Sequence, residues 1–228
     1  GGRSSEGGRA HARARHVTAV DSLRRRIGAR PASPGPGEAV PTVGGPTGLA
    51  RTVAVFDAYV DRRVDRVRGN PTLDRVMYTA SELGNFSLVW HLVNATRAVA
   101  PDRRVTHALR VAAVLGAESA LVNGPVKNMF RRHRPVWEHE RPLKLRVPKT
   151  SSFPSGHASS AAVAAVMLSQ RDTAWPLYCG IGVVVAASRV YVGVHHASDV
   201  VAGAVLGVAL AEGAKRLWAF PPVDRRSN

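Results

Sequence analysis

Three short stretches carry residues whose types and spacing could do chemistry. Lys127 is followed, after six intervening residues, by Arg134-Pro135. Pro154-Ser155-Gly156-His157 stands just before an apolar run. Ser188-Arg189 is followed after five residues by His195, and after three more by Asp199. Lys127, Arg134 and Arg189 are cations set near the ends of expected helices. A Gly-containing turn ahead of a helix can aim the N–H groups of Ser155, Gly156 and His157 at an anion, and the helix dipole adds to the attraction. His195 and Asp199 are four apart, so on a helical turn they share a face. The carboxylate can then hold one ring nitrogen of His195 and leave the other free to attack. His157 is a second imidazole, able to protonate a leaving oxygen. Cations, nucleophile, orienting acid and general acid make a complete set for phosphoryl transfer without a metal, resting on positioning and charge stabilisation. Singly, each residue has a plainer reading. A lone histidine is more often a satisfied core residue, and a lone Lys or Arg at a helix end more often snorkels to an interface.

These stretches need elements that bring them to one place. Residues 49–67 read as an amphipathic helix, with Val53, Phe56, Val60, Val64 and Val67 at helical spacing and charges on the other face. It is too charged to span a bilayer but suited to lie along one. Five longer helices are expected at about 72–99, 103–123, 157–170, 174–192 and 197–218. The first carries Glu82, Asn85, His91 and Asn94, and the second His107, Arg110 and Glu118, so neither passes a strict hydropathy test alone. Small residues such as Ala161, Ala165, Gly203 and Gly207 allow close helix packing in a membrane. Trp137, Trp175 and Trp218 fall near helix ends, as interfacial aromatics do. The expected fold is all-α: a membrane-embedded bundle of about five spanning helices preceded by an amphipathic interfacial helix. Alternating helix directions place residues 124–157 and 188–199 on the same membrane face. Glu118 is expected to pair with a cation such as Lys127. Asp199 can also cap the last helix, and His196 is expected to have a structural role. Glu138, His139 and Glu140 are expected in a solvated loop.

Together the three stretches resemble the tripartite signature of the type 2 phosphatidic acid phosphatase superfamily, which is shared with vanadium-dependent haloperoxidases. That signature reads K-x6-R-P, P-S-G-H and S-R-x5-H-x3-D. The chain has KNMFRRHRP at 127–135, PSGH at 154–157 and SRVYVGVHHASD at 188–199. The resemblance implies that His195 is the nucleophile and forms a phosphohistidine, that Asp199 orients it, and that His157 is the general acid. It also implies that Lys127, Arg134, Ser155, Gly156 and Arg189 bind the phosphate, with no metal and no cofactor. Compared with the common six-helix members, a helix before residues 49–67 is missing and a basic tail stands in its place. Five spans then put the two ends of the chain on opposite faces. Short bacterial members of this kind resemble prenyl-phosphate or phosphoribosyl-prenyl phosphatases.

Composition agrees with an anionic partner. The 228 residues carry 32 Lys and Arg against 16 acids, which points to nucleic acid, anionic lipid or a phosphorylated substrate. Residues 1–46, rich in Gly, Pro, Ser and Arg, are expected as a disordered basic tail that anchors to anionic lipids. A nucleic-acid role would need aromatic or folded support that this tail lacks. Residues 47–220 form the expected phosphatase domain and 221–228 a short C-terminal tail. Cys179 is the single cysteine, so no intrachain disulfide can form. The expected activity is hydrolysis of a lipid phosphate or diphosphate, polyprenyl or glycerolipid, in a bacterial cell membrane. The alternatives are a lipid phosphotransferase with the same site, a soluble haloperoxidase, and a non-catalytic basic membrane adaptor. Sidedness divides the arguments. The family most often works on the outer face, yet residues 1–75 and 124–157 together hold 22 Lys and Arg against 9 on the opposite face, which favours a cytoplasmic site.

Overall fold

A computed structural model of the chain describes residues 48–99, 105–137, 141–170 and 172–218. All described segments are helix, turn or loop, and none is strand. The expected tails, Arg171 and the loop residues Glu138, His139 and Glu140 lie outside the described residues.

Helix α1 runs Gly48–Asp65. Its inward face holds half-buried Val53, Val60 and Val64, in phase with fully buried Asp57. The sequence reading assigned all of this helix's charges to the polar face, so a carboxylate at the centre of the inward face is a finding. Helix α2, Pro71–Leu83, is capped by Asn70, whose side chain accepts from the N–H groups of Thr72 and Leu73. Helix α3 is Leu88–Ala98. The sequence suggested one helix over 72–99. The chain instead breaks at Asn85–Ser87, where Phe86 and Ser87 take positive φ. Gly84-Asn85 is a turn signal that the continuing apolar period concealed.

Helix α4 runs Val105–Met129, with its ladder opened at Val122–Val126 around Gly124 and Pro125. Helices α5, Gly156–Leu168, α6, Trp175–Tyr191, and α7, Ala197–Leu217, complete the bundle. Of the described helices, α4 and α7 are long and apolar enough to cross a membrane, and α5 is apolar but shorter.

Helix α5 is the axis. It packs against α4, α6 and α7, and buried Ala158, Ala161, Val163, Ala164, Met167 and Leu168 face all round it. Trp90, Val111, Leu115 and Val185 fill the space around it. The contact with α7 is the closest. A Cβ on Gly203 would lie 2.4 Å from the Ser155 carbonyl oxygen, and one on Gly207 would lie 2.2 Å from that of Ser159. Small residues four apart therefore let the two backbones touch. Large apolar side chains turn outward: Leu109 on α4, Leu177 and Val183 on α6, Val201 and Val205 on α7 are all exposed. A bundle with small and polar residues inside and branched aliphatics outside suits lipid around it.

Gly207→Ala is accordingly expected to destabilise the protein by about 1–3 kcal/mol or to prevent folding, because the backbone of α5 has no room to move. Gly180→Ala, at a position with open space, should leave stability unchanged or raise it by up to about 1 kcal/mol. Thermal unfolding of both variants in detergent checks the contrast; equal melting temperatures would refute it.

Candidate active site

The functional stretches meet where α4 and α6 end and α5 and α7 begin. Lys127 follows the opened turn of α4 and is buried, with Nζ donating to Asn123 Oδ1 at 2.9 Å. Asn123 also abuts the start of α5, since a Cβ on Gly156 would sit 2.8 Å from its Oδ1. A Cβ there would push aside the Asn123 amide that holds the Lys127 ammonium. The expected Glu118–Lys127 pair does not form. Glu118 is buried and its Oε1 meets no hydrogen-bond partner among the described residues, while Asn123 takes the ammonium.

Ser155 is the N-cap of α5, its hydroxyl accepting from the Ala158 N–H at 3.5 Å. Its own N–H donates to the Asp199 carbonyl at 3.0 Å. This corrects the expectation that three successive N–H groups stand ready for an anion. The Ser155 N–H ties α5 to α7, which leaves those of Gly156 and His157, together with the Ser155 hydroxyl hydrogen. Ser81 on α2 holds two further groups. Its carbonyl lies 3.2 Å from His157 Nε2, and its hydroxyl accepts a short hydrogen bond from Arg189 Nη1.

His195 sits in the turn between α6 and α7 and is 2% exposed. The turn wraps onto one acceptor: the N–H groups of Val194 and His195 both donate to the Arg189 carbonyl, at 3.1 and 3.2 Å. It depends on Gly193, whose φ is +65° and whose missing Cβ would fall 2.2 Å from the Trp137 ring. Trp137 was expected at a membrane interface. It lies over this turn, stacked on by Arg68 and Arg141 at 5.0 and 4.6 Å.

His195 Nε2 is 3.3 Å from Arg134 Nη1, and Nδ1 is 3.6 Å from Asp199 Oδ2. The second distance brings an ion pair within reach but is too long for a hydrogen bond. Arg134 is fixed by the carbonyls of Val194, at 2.7 Å, and Ser151, at 3.2 Å. Burial pushes the His195 imidazole down to about 4; Arg189 and Arg134 act the same way, and Asp199 opposes them. At neutral pH the ring is therefore uncharged.

Several buried side-chain nitrogens at this site meet no hydrogen-bond partner among the described residues: Arg134 Nε, Arg189 Nε and Nη2, and His195 Nδ1. Arg134 also lines a cavity of about 770 Å³ together with Lys127, Arg131, Arg132 and Lys149, and among the described residues no carboxylate lines it. Buried guanidinium N–H groups without a partner are costly, and an anion satisfies them. Among the predicted residues the structure thus gathers Arg134, Arg189, His195 and Asp199 tightly, with Ser155 and Gly156 against α7 and α4. Lys127 lines the same cavity as Arg134, and His157 is turned toward Ser81.

Apart from Asp199 and His196, the residues that complete the site were not singled out from sequence. Arg132 Nη1 donates to Asp199 Oδ1 and Nη2 to Asp57 Oδ2, both at 2.6 Å. The Ser152 hydroxyl donates to Asp199 Oδ2, which also accepts from the His196 N–H at 2.9 Å. His196 is the N-cap of α7 and Asp199 its N3 residue, in a reciprocal capping box. Asn123, four residues before Lys127, was the one with a readable signal, because that spacing puts it on the same helical face. Nothing in the sequence marks Ser81 or Ser152.

Comparison with known proteins agrees with this geometry. A family model described as the PAP2 superfamily matches residues 107–220. The decaprenylphosphoryl-5-phosphoribose phosphatase of Mycobacterium tuberculosis is 32% identical over 164 residues, covering 71% of this chain and 85% of that protein. The undecaprenyl-diphosphatase of Sulfolobus acidocaldarius is 34% identical over 140 residues, covering 60% of this chain and 66% of that one. Among solved structures, a transmembrane PAP2-type phosphatidylglycerolphosphate phosphatase from Bacillus subtilis superposes with a TM-score of 0.54 at 25% identity, over 76% of this chain and 97% of that one. The expected class, a phosphoric ester or diphosphate hydrolase of the membrane, is the class of these relatives. With its three signature stretches assembled around one buried imidazole, the chain belongs to the PAP2 superfamily.

Proposed function

We propose that the chain hydrolyses a polyprenyl phosphate, or a prenyl-linked sugar phosphate, through a phosphohistidine at His195 and without a metal. The observation that carries the reading is the set of buried, unpartnered guanidinium donors beside an uncharged imidazole. The prenyl class is favoured by the two named relatives, whose substrates carry long isoprenoid chains. In this reading α2 with α3, α4, α5, α6 and α7 make five spans, and α1 lies at the interface on the side of the site.

The roles follow from geometry. Asp199 facing Nδ1 selects the tautomer with a proton there, leaving the Nε2 lone pair to attack. Nε2 displaces the lipid-linked oxygen in line, so a P–N bond forms as the P–O bond breaks, and the leaving oxygen takes a proton from His157. Arg134 offers its Nε donor and Arg189 its Nε and Nη2 donors to the equatorial oxygens, where charge develops, and Lys127 adds a third positive charge. Water then attacks phosphorus, His157 accepts its proton, and the P–N electron pair returns to Nε2. Since His157 Nε2 faces the Ser81 carbonyl, the proton it passes is the one on Nδ1.

Replacing His195 by Ala is expected to lower kcat by at least about 10⁴-fold on a polyprenyl phosphate, while EDTA leaves wild-type activity unchanged. Wild type quenched during turnover should carry labelled phosphate on His195, labile in acid and stable in alkali. Activity in the variant, or its loss in EDTA, would refute the mechanism. The depressed His195 value sets the sign of the pH dependence. The reactive neutral ring persists down to about 4 and is lost below that. After correction for the substrate's own phosphate titration, kcat/KM should show no fall from pH 7 to below 6. An acid limb centred on the ordinary imidazole value of about 6.5 would contradict this environment.

A further inference from the structure

Asp57 lies in none of the three signature stretches and outside the residues that the family model matches. It is nevertheless among the most firmly held carboxylates in the molecule. It is buried in the inward face of α1, where Oδ1 accepts from the Ser198 N–H at 2.8 Å. Oδ2 accepts from the Ser198 hydroxyl at 2.8 Å and from Arg132 Nη2 at 2.6 Å. It thereby satisfies a first-turn N–H of α7 and brings negative charge to the positive end of that helix. Through Arg132 it also reaches Asp199, whose Oδ1 accepts from Nη1 at 2.6 Å. The result is a line of alternating charge, Asp57, Arg132, Asp199, ending at the His195 ring.

That line poses an electrostatic problem which Asp57 answers. Arg132 touches Asp199 at 2.6 Å, while His195 Nδ1 stands 3.6 Å away. A guanidinium held by Asp199 alone would cancel the charge that must steady a phosphorylated, positive imidazole. Sharing Arg132 with a second carboxylate restores one net negative charge to the group. We infer that Asp57 is a positioning residue for the reaction: through Arg132 it fixes the Asp199 carboxylate and keeps its charge available to His195, so that α1 is part of the catalytic unit. The inference rests on the proposed roles of His195 and Asp199.

The other charged or titratable groups around His195 are Arg134 from the loop before α5, Arg189 from α6, Lys127 from α4 and His157 from α5. They are common to all the variants below and do not alter the comparison. The substrate's titration is common as well and drops out of the ratio between variants. The proteins are compared as full chains in lipid–detergent micelles, with a polyprenyl phosphate as substrate.

Asp57→Asn keeps the shape and an acceptor for Ser198 but removes the charge. Its kcat is expected to fall about tenfold with KM within about twofold, and its acid limb in kcat/KM to move down by about half to one pH unit. The sign follows from losing a negative charge, which lowers the proton affinity of His195. Arg132→Gln leaves both carboxylates unneutralised and should move the limb up. Asp57→Asn combined with Arg132→Gln removes one charge of each sign and should bring the limb back toward wild type. A clamp that merely holds α1 in place would lower activity or stability without opposite shifts in the two single variants, and that result would overturn the inference. Should either single variant fail to fold, an unmoved limb in the other is enough to overturn it. Retained activity in His195→Ala under the same assay would instead sink the underlying site, which keeps the two failures distinct.

Discussion

The structure turns on the cost of burying positive charge. Arg189 is fully buried and Arg134 half-buried, and neither makes an ion pair with a carboxylate among the described residues. Their visible partners are carbonyls and one hydroxyl, which orient a guanidinium without neutralising it. Isolated buried cations lose several kcal/mol of hydration that only a counter-charge returns. A site built this way is poised for an anion, and burial, aided by the same cations, keeps His195 uncharged, as the proposed nucleophile requires. In the proposed reaction, charge that destabilises the resting protein is charge that stabilises a phosphoryl group in transfer.

Holding such a site open requires rigid elements close to it, and the small-residue contact between α5 and α7 supplies them. Gly203 presses on Ser155 itself, so the packing that joins the helices also sets the start of α5 where the PSGH stretch lies. The Ser155 N–H on the Asp199 carbonyl and the capping box of His196 with Asp199 fasten the same junction. Asp199 thus serves as a helix-capping residue and as the carboxylate beside His195, and its position is over-determined. The turn bearing His195 is held from below by the Arg189 carbonyl and from above by Trp137.

Much of this was legible in the sequence, for a local reason. Each signature stretch lies within a few residues, so spacing alone sets which side chains share a face, as with His195 and Asp199. Helix periods likewise revealed α1 and α5 to α7 within two residues at either end, and the start of α4, whose continuation past 123 was hidden by Gly124 and Pro125. Long-range partners were not legible. Among Arg131, Arg132 and Arg134 the sequence does not say which turns toward Asp199, and α1 and α7 decide it. Asp57 reads as one charge of an amphipathic helix, although its phase with Val53, Val60 and Val64 places it inward. The Ser155 N–H looked free because its acceptor is a carbonyl distant in the chain. The break at Gly84–Ser87 was masked by apolar residues that keep helical spacing across it.

The central claim is that the unpartnered donors of Arg134 and Arg189 and the Nε2 of His195 address a single tetrahedral anion. A structure of the protein with orthovanadate, which adopts the geometry of a phosphoryl group under attack, tests this most directly. The account predicts vanadium bonded to His195 Nε2, with its equatorial oxygens within hydrogen-bond distance of Arg134 Nε and of Arg189 Nε and Nη2. Vanadate bound elsewhere, or bound at His195 with either guanidinium turned away from it, would contradict the account.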